Sequence, residues 1–283
     1  MQIQKSYIDN GPTLYIIPTP IGNLDDMTYR SVKVLQQLDY LFCEDTRVTQ
    51  KLLNHFEITI KTNTYHEHNQ EVGGKKIIDL LKQGHDVGLV SDAGMPGISD
   101  PGYDIIRLAD EENFNVVVLP GASAFIVAMV RSNFASKQFT YYGFLNKQTT
   151  KKEKELEVIL STYQPTVLYE SPHKLTRTLK MIADMNSDTK VLVAREITKK
   201  FEEYTIGSVN EVLDHYEANG VKGECVIIVS PELKCEEITD PIAVYTKLVS
   251  IDNYTKKDAI KSVAKQMGVN KNEIYQLVLE SEK

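Results

Sequence analysis

Three loops rich in glycine and proline are the part of this sequence best suited to bind a small molecule. Each follows a short apolar run that predicts a strand, and they cover residues 18–23, 91–102 and 120–124. Glycine and proline make tight turns there, and they let backbone N–H and C=O groups approach a ligand closely. In an open α/β sheet, ligands bind beyond the carboxyl ends of the strands, where such loops converge. We therefore expect a ligand crevice at this edge of a sheet.

The three loops differ from the known phosphate-binding loops. Neither GxxxxGK[ST] nor GxGxxG occurs in the sequence, so we expect neither a nucleotide P-loop nor a dinucleotide site. The pair His66 and His68 has metal-ligand spacing, but no third ligand lies nearby in the sequence, and we expect no metal.

Charged residues follow two of the predicted strands and form the candidate catalytic set. Its members are Glu44, Asp45, Arg47, Arg195, Glu196 and Lys199. A positioned carboxylate or cation there could help to activate a weak nucleophile. The alternatives are a helix N-terminus with favourable acids for the first group and a surface salt-bridge cluster for the second. His173 is a further candidate base, and its place at a helix start gives a phosphate contact as the alternative.

Hydrophobic periodicity predicts the elements that position these loops. In the first 135 residues, short apolar runs alternate with helical patterns. The predicted strands are 14–17, 40–43, 87–90 and 116–119, and the predicted helices are 27–38, 47–55, 74–83 and an apolar helix through Met129. This βαβ series predicts a mostly parallel sheet.

From Phe139 onwards the pattern predicts a second, α+β domain. The predicted strands are 139–145, 167–169, 191–196, 203–206 and 225–230, and helices are predicted from 147, over 171–185 and over 209–219. Ser171 and Pro172 suit the N-cap and first turn of a helix. We expect an antiparallel pairing of 191–196 with 203–206. Tyr141, Tyr142 and Phe144 lie in a predicted strand with a period-2 pattern. This setting favours a place for their rings in the core over stacking on nucleic-acid bases.

We expect an N-terminal α/β domain over 1–121, a C-terminal α+β domain over 122–231 and a small tail over 241–283. The segment 231–241 is acidic and bounded by prolines, which indicates a linker. In the tail, helices 256–267 and 270–279 around Gly268 predict a helix-turn-helix. Over residues 254–276, five lysines outnumber the two acidic residues Asp258 and Glu273. The lysines are Lys256, Lys257, Lys261, Lys265 and Lys271. The sequence is consistent with two interpretations of these lysines: they contact a polyanion, or they form a face that meets only solvent.

The composition restricts the class of protein. The 283 residues hold 32 Lys and Arg against 39 Asp and Glu, a net charge of −7, which excludes a wholly basic nucleic-acid scaffold but not a local basic patch. Residues 170–200 form such a patch: Lys174, Arg177, Lys180, Lys190, Arg195, Lys199 and Lys200 against Glu170, Asp184, Asp188 and Glu196. Three cysteines without a CxxC pair suit a reducing cytosol, and no apolar segment predicts a signal peptide or a membrane span.

Seven motifs occur in order along the chain: Thr19-Pro20-Ile21-Gly22-Asn23-Leu24, Glu44-Asp45-Thr46-Arg47, Ser91-Asp92-Ala93-Gly94 with Ile98-Ser99-Asp100-Pro101-Gly102, Pro120-Gly121-Ala122-Ser123-Ala124, Tyr169-Glu170-Ser171-Pro172-His173-Lys174, Ala194-Arg195-Glu196-Ile197-Thr198-Lys199 and Lys222-Gly223-Glu224. Together they resemble one family, the small-subunit ribosomal RNA methyltransferases of the tetrapyrrole-methylase-like superfamily. The resemblance runs over residues 14–230 and extends to the tail. Two positions depart from the family: Met95 stands where threonine is expected, and Lys174 where arginine is usual.

The resemblance implies an S-adenosylmethionine-dependent enzyme that methylates the 2′-hydroxyl of a cytidine in the decoding region of 16S rRNA, within the 30S subunit. It implies two α/β domains with the cofactor in the cleft between them, a homodimer, and a cytoplasmic location. The implied cofactor residues are Pro20, Asp92, Ala93, Gly94, Met95, Ser123, Ala124, Tyr169, Cys225 and Val226. It adds weight to the candidate catalytic set but leaves the general base open. Two alternatives are a methylase of a tetrapyrrole carbon and a non-catalytic RNA-binding assembly protein.

Overall fold

The structure, a computed structural model, describes residues 3–6, 11–134, 137–162, 164–230, 240–250, 254–267 and 269–281. These residues form two compact units, one within 1–231 and the other within 232–283. Most of the predicted linker, 231–239, and the predicted helix stop at Gly268 lie outside the described residues. Within the described ranges, no helix combines the length and the apolar character needed to span a membrane.

The first sheet has five strands, and all of them are parallel. Its strands are β1 (Thr13–Ile16), β2 (Tyr40–Cys43), β3 (Lys61–Thr64), β4 (Val87–Val90) and β5 (Asn115–Val118). They lie in the order β3-β2-β4-β1-β5, so β1 stands between β4 and β5. The expectation of a mostly parallel sheet is confirmed.

Helices cover both faces of this sheet. They are α1 (Tyr29–Gln37), α2 (Thr46–His55), α3 (Gln70–Lys82) and α4 (Tyr103–Glu111), and the next helix in the chain is α5 (Ala124–Arg131), which packs elsewhere. On one face, Ile77 and Ile105 from α3 and α4 pack against Leu14 of β1. On the other face, Leu35 and Leu53 from α1 and α2 form a second buried cluster. Burial on both faces explains why β4 reads as a continuous apolar run.

Two elements of this half were not predicted. Strand β3 has the sequence KTNT and lies at the edge of the sheet, and its side chains are only partly buried or exposed. Such a strand lacks the apolar alternation that marks a half-buried strand. Helix α4 does carry a signal, because Ile105 and Ala109 stand four residues apart and are both buried.

The second sheet is mixed. Its strands are β6 (Thr140–Phe144), β7 (Thr166–Glu170), β8 (Lys190–Arg195), β9 (Glu203–Ser208) and β10 (Cys225–Ser230). They lie in the order β6-β7-β10-β8-β9. Only β6 and β7 pair in parallel; β10 is antiparallel to both β7 and β8, and β8 is antiparallel to β9. The predicted antiparallel pairing of the segments 191–196 and 203–206 is therefore confirmed.

Three helices cover one face of the second sheet, and α5 covers the other. The three are α6 (Thr149–Leu160), α7 (Pro172–Met185) and α8 (Val209–Asn219). Helix α7 begins as predicted, with Ser171 as N-cap and Pro172 in its first turn. On the opposite face, Ala128 of α5 packs in a cluster with Val167 and Val226. Helix α5 follows the first sheet in sequence but packs on the second.

The prediction that the aromatic residues of β6 belong to the core is wrong for two of the three. Tyr142 and Phe144 are 37% and 62% exposed. Only Tyr141 is partly buried, where its ring lies 4.5 Å from that of Phe125. Strand β6 is an edge strand, and a bulge between Tyr141 and Gly143 interrupts the period-2 alternation on which the prediction depended.

The unit within residues 232–283 contains three described helices: α9 (Pro241–Ser250), α10 (Lys256–Met267) and α11 (Lys271–Ser281). Helices α10 and α11 agree with the predicted pair, whereas α9 was not predicted. Tyr245, Val263 and Ile274 bring one residue from each helix into a shared core. The Asp240 carboxylate accepts N–H bonds from Ile242 and Ala243 and so caps the start of α9.

A buried ion pair joins α6, β7 and α7. Lys152 Nζ lies 2.7 Å from Glu170 Oε2, and the two side chains are 9% and 7% exposed. The Thr178 hydroxyl donates to the same oxygen at 2.7 Å. Burial alone would raise the pKa of Glu170, but the hydrogen bonds from Lys152 and Thr178 hold it below its ordinary value. The carboxylate therefore stays ionised at neutral pH.

Removing one partner of this pair should destabilise the protein strongly. In Lys152→Met, Glu170 keeps a buried charge without its cation, and we expect a loss of about 3–5 kcal/mol in the free energy of unfolding. The double variant Lys152→Met/Glu170→Leu removes both charges and should recover much of that loss. Urea denaturation of the three proteins measures both values. Equal stability of the single variant and the wild type would contradict the expectation.

Candidate functional site

A cavity of about 460 Å³ lies between the two sheets of the unit within residues 1–231. One wall is built by the loops that follow β1, β2, β4 and β5, and the other by residues around the ends of β6, β7 and β8 and the start of β10. The volume falls within the range of about 300–1,000 Å³ that is usual for small-molecule sites. The crevice predicted at the carboxyl edge of the first sheet is present.

Two of the glycine- and proline-rich loops are joined by backbone hydrogen bonds. Thr19 N–H donates to Gly94 O at 2.9 Å, and Gly94 N–H donates to Thr19 O at 3.0 Å. The Thr19 hydroxyl also donates to Ser91 O at 3.1 Å. Gly94 has a φ of +79°, a conformation that glycine adopts without strain. These bonds fix the floor of the cavity.

The third loop packs so closely on the first that it needs a glycine. A Cβ atom at Gly121 would overlap the ring of Pro18. Because the two loops follow the adjacent strands β1 and β5, this contact holds the start of α5 beside the cavity.

The structure brings nine of the ten predicted cofactor residues to the cavity. They are Asp92, Ala93, Gly94, Met95, Ser123, Ala124, Tyr169, Cys225 and Val226. Pro20 does not line it, and the neighbouring Ile21 does. Burial raises the pKa of the Cys225 thiol to about 11, so this wall residue is an uncharged thiol at neutral pH.

Three carboxylates make the cavity acidic. Glu44, Asp92 and Asp100 line it, and each has a pKa raised above its ordinary value, first by burial and then by neighbouring carboxylates. Asp92 Oδ1 accepts the Asp45 N–H at 3.1 Å, which ties the loop after β4 to the loop after β2. Carboxylates that raise one another's pKa are stabilised by a cation placed among them.

Aromatic side chains form part of the opposite wall. Phe125, Phe144 and Tyr169 line the cavity, and the rings of Phe144 and Tyr169 lie 5.5 Å apart. Tyr141 stands behind them and shares a short hydrogen bond with the Ser99 hydroxyl. The wall thus offers apolar ring faces opposite an acidic floor.

Of the predicted catalytic set, Glu44 alone lines the cavity. Asp45 caps α2 and accepts from the Arg47 N–H at 2.8 Å. Its carboxylate also pairs with the Arg47 guanidinium at 2.6 Å, and these bonds lower the pKa of Asp45 to about 2. The Arg47 side chain is 87% exposed. The catalytic roles of Asp45 and Arg47 stay predictions.

The second predicted group forms ion pairs beside the cavity. Arg195 pairs with Glu203 at 3.0 Å, and Lys199 Nζ lies 3.0 Å from Glu196 and 2.8 Å from Glu224. Ile197 and Glu224 line the cavity, whereas Arg195, Glu196 and Lys199 do not. The catalytic roles of these three residues also stay predictions.

The loop after β8 has an unusual backbone and packs on the first loop. Glu196 and Thr198 have φ values of +51° and +68°, which side chains other than glycine rarely adopt. A Cβ atom on Gly22 would overlap the aliphatic stem of Lys199. Strained backbone is retained where the surroundings hold it firmly, and it clusters at functional sites.

Several wall residues were not assigned from the sequence. They are Ile21, Ile98, Ser99, Asp100, Phe125, Phe144, Glu170, Ser171, Pro172, Ile197 and Glu224. Most stand within or next to the quoted motifs, so the motifs located the segments but not each side chain. Phe144 lies outside the motifs, and the alternating pattern of its strand predicted a place in the core rather than on the cavity wall. Across the described ranges, no three or more His, Cys, Asp or Glu side chains are placed to hold a metal ion.

Residues 13–213 match the family of Tetrapyrrole (Corrin/Porphyrin) Methylases, and the chain therefore belongs to this family. Methylases of this class take the methyl group from S-adenosylmethionine. Among named relatives, the chain is similar to "Ribosomal RNA small subunit methyltransferase I" of Streptococcus pyogenes, at 40% identity over 98% of each chain. It is also 40% identical to the protein of that name in Bacillus subtilis, over 93% of this chain and 92% of that one.

Two solved structures share the fold. Cobalt precorrin-4 methyltransferase, a cobalamin biosynthetic enzyme, gives a TM-score of 0.59 at 21% identity over 77% of this chain and 94% of its own. Uroporphyrin-III-C-methyltransferase from Thermus thermophilus gives 0.57 at 14% identity, with the same coverage of both chains. At these identities, the likeness supports the fold and nothing finer.

The residues around the cavity fit S-adenosylmethionine. The loop after β4 lines the cavity with Asp92, Ala93, Gly94 and Met95 and offers polar groups to a nucleoside or an amino acid, and the aromatic wall offers faces to an adenine ring. The sulfonium of the cofactor carries a positive charge, which suits the acidic floor formed by Glu44, Asp92 and Asp100.

This fit predicts a pH dependence that separates the cofactor from its demethylated product. A cation lowers the raised pKa values of the cavity carboxylates, so binding of S-adenosylmethionine should release protons and weaken as the pH falls through those pKa values. S-adenosylhomocysteine lacks the sulfonium charge and should weaken less. We expect the ratio of the two affinities to be lower at acidic pH, where these carboxylates take up protons, than at neutral pH.

Calorimetry with both ligands measures this ratio. Asp92→Asn keeps an oxygen that can accept the Asp45 N–H but removes one negative charge, and it should reduce the dependence on pH. The same ratio at both pH values would show that the sulfonium does not bind near these carboxylates. Absence of binding by either ligand at millimolar concentration would contradict the cofactor fit itself.

Proposed function

We propose that this chain transfers a methyl group from S-adenosylmethionine to the 2′-hydroxyl of a cytidine in the decoding region of 16S rRNA, with the 30S subunit as substrate. The observation that carries the proposal is the two-walled acidic cavity in a chain that is similar over 98% of its length to relatives named as ribosomal RNA small subunit methyltransferases. The likeness to the tetrapyrrole enzymes is limited to 21% and 14% identity.

The unit within residues 232–283 supports an RNA substrate over a tetrapyrrole. The family match ends at residue 213, whereas the similarity to the ribosomal RNA methyltransferases covers 98% of the chain and so includes this unit. Lys257, Lys261 and Lys271 are exposed on α10 and α11, in a protein of net charge −7. Local positive charge on an acidic protein favours a polyanionic partner.

S-adenosylmethionine supplies an electrophilic methyl group on its sulfonium. The protein must hold the ribose in line with that group and accept the proton of a hydroxyl that is a weak nucleophile. We propose Glu44 as the proton acceptor, because it is the member of the predicted catalytic set on the cavity wall and burial raises its pKa. A base whose pKa approaches the working pH accepts a proton more effectively.

The other predicted residues fit supporting roles. Arg47 is exposed near the cavity and is proposed to contact the RNA backbone. Arg195, Glu196 and Lys199 are proposed to hold the loop after β8 against the first loop. We further propose a cytoplasmic homodimer, because the ribosomal subunit is a cytoplasmic substrate and the family resemblance implies a dimer.

The decisive experiment for this function uses 30S particles from cells that lack the gene. The purified chain should transfer a methyl group from S-adenosylmethionine to one cytidine of 16S rRNA, which mass mapping of the RNA identifies. Transfer to a porphyrinoid without transfer to 30S particles would establish the tetrapyrrole alternative. RNA binding that is insensitive to the cofactor, with no methyl transfer, would establish the assembly-protein alternative.

Replacement of the proposed proton acceptor should separate catalysis from binding. We expect Glu44→Gln to lower kcat on 30S particles by about 10²- to 10⁴-fold, since it removes the base, with little change in the dissociation constant of S-adenosylhomocysteine. Asp45→Asn is the matched control, because this neighbour faces Arg47 and does not line the cavity. Equal losses in the two variants would assign both residues to structure, and full activity of Glu44→Gln would exclude it as the base.

The lysines of α10 should contribute to RNA affinity through phosphate contacts. The double variant Lys257→Glu/Lys261→Glu should bind 30S particles more weakly and with a shallower dependence on salt, because fewer phosphates are neutralised. Lys33→Glu/Lys51→Glu changes the net charge equally on exposed positions of α1 and α2 and serves as the control. Filter binding over a range of salt measures both slopes. Equal slopes for the two variants would indicate that these lysines are only a solvated face.

A further inference from the structure

A small basic pocket lies beside the acidic cavity. It has a volume of about 60 Å³ and is lined by nine residues: Leu145, Asn146, Lys147, Thr149, Lys152, Glu170, Lys174, Arg177 and Met181. Four of these carry positive charge and one carries negative charge. The volume suits a group of a few heavy atoms rather than a nucleobase.

The single carboxylate of the pocket is already matched. Glu170 Oε2 lies 2.7 Å from Lys152 Nζ and accepts from the Thr178 hydroxyl, and Glu170 Oε1 accepts the Ser171 N–H at 2.9 Å. This pair therefore contributes little net charge to the pocket.

The other three cations are exposed and carry the net charge. Across the described residues, Lys147, Lys174 and Arg177 have no carboxylate partner, and the Arg177 guanidinium donates to the Thr149 hydroxyl at 2.7 Å. A pocket with three such cations attracts a small anion.

The pocket and the cavity are neighbours at two places in the chain. Phe144 lines the cavity, and the next three residues line the pocket. Ser171 and Pro172 line the cavity, and Lys174 and Arg177 line the pocket from the same helix, α7. Glu170 belongs to both. An anion in the pocket would therefore lie next to a ligand in the cavity.

The chemistry of the proposed reaction requires an anion at such a position. In RNA, the carbon that bears the 2′-hydroxyl is bonded to the carbon that bears the 3′-phosphodiester. A ribose placed for methylation therefore brings a phosphodiester close to the methyl donor. The acidic floor of the cavity would repel that phosphodiester, whereas the basic pocket offers it cationic partners.

We propose that the pocket lined by Lys147, Lys174 and Arg177 binds a phosphodiester of the RNA chain that flanks the methylated nucleotide. This site rests on the proposed function and deepens it. It orients the ribose by holding the adjacent phosphate, and it acts on the RNA alone and not on the cofactor.

The test compares two pairs of neutral substitutions in the full-length protein. The pocket variant is Lys147→Gln/Lys174→Gln, which leaves the bond from Arg177 to Thr149 intact. The control variant is Lys151→Gln/Lys180→Gln, which removes the same charge from exposed positions of α6 and α7 that do not line the pocket. Methyl transfer to 30S particles gives KM and kcat at several salt concentrations, and calorimetry gives the affinity for S-adenosylhomocysteine.

We expect the pocket variant to raise KM for 30S particles by about tenfold and to make the salt dependence shallower by one or two units of slope. Its affinity for S-adenosylhomocysteine should not change. The variant Lys147→Arg/Lys174→Arg keeps both positive charges and should have the KM of the wild type. The control variant should stay within about twofold of the wild type. The same KM in the pocket variant and the control, with an active wild type, would overturn the proposal while leaving the proposed function intact.

Two further outcomes also decide against the phosphodiester site. A wild type that does not methylate 30S particles would refute the proposed function, and the site with it. Tight binding of inorganic phosphate in calorimetry, lost in the pocket variant while its KM for 30S particles is unchanged, would assign the pocket to a free anion instead of RNA.

Discussion

The cavity depends on the pair of hydrogen bonds between Thr19 and Gly94. Strands β1 and β4 are neighbours, so their loops leave the sheet side by side, and these bonds, with the one from the Thr19 hydroxyl to Ser91 O, join the two loops into one surface. The left-handed backbone of Gly94 allows the loop after β4 to turn back towards Thr19. Around that floor, the Asp92 carboxylate ties in the loop after β2, and the contact of Gly121 with Pro18 ties in the loop after β5.

The acidity of the floor and the basicity of the neighbouring pocket divide the site by charge. Glu44, Asp92 and Asp100 offer a place for the cationic sulfonium of the cofactor, while Lys147, Lys174 and Arg177 surround a space for an anion. Glu170 stands between them, and its charge is matched by Lys152. A cationic ligand and an anionic ligand can thus bind side by side, each next to protein groups of the opposite charge.

Much of this arrangement follows from the sequence. Apolar runs located β1, β2, β4 and β5, and the parallel order of a βαβ series placed their loops at one edge. The opposite wall could not be derived in this way, because no periodicity shows that Tyr169 and Cys225 will face Gly94. Family motifs supplied that link, and the structure shows these residues around one cavity.

Other features lie outside the reach of local patterns. Phe144 was assigned to the core because bulges and edge positions are not visible in an alternating run. The polar strand β3 joins the sheet through backbone pairing with β2. Its side chains show no apolar pattern from which this pairing could be predicted. The ion pair of Arg195 with Glu203 and that of Lys199 with Glu224 connect residues eight and 25 positions apart in the chain, which spacing alone does not predict.

The last strand of the second sheet, β10, lies in its middle, between β7 and β8. During synthesis, therefore, the growing chain carries two incomplete half-sheets, each with an open edge, until residues 225–230 have emerged. Unpaired edges invite pairing with other chains, so this interval is when the protein is most exposed to aggregation. Cys225 and Val226 also complete the cavity wall, so folding of the second sheet and competence to bind a ligand are reached together. A chain truncated before residue 225 would lose the centre of this sheet rather than its margin.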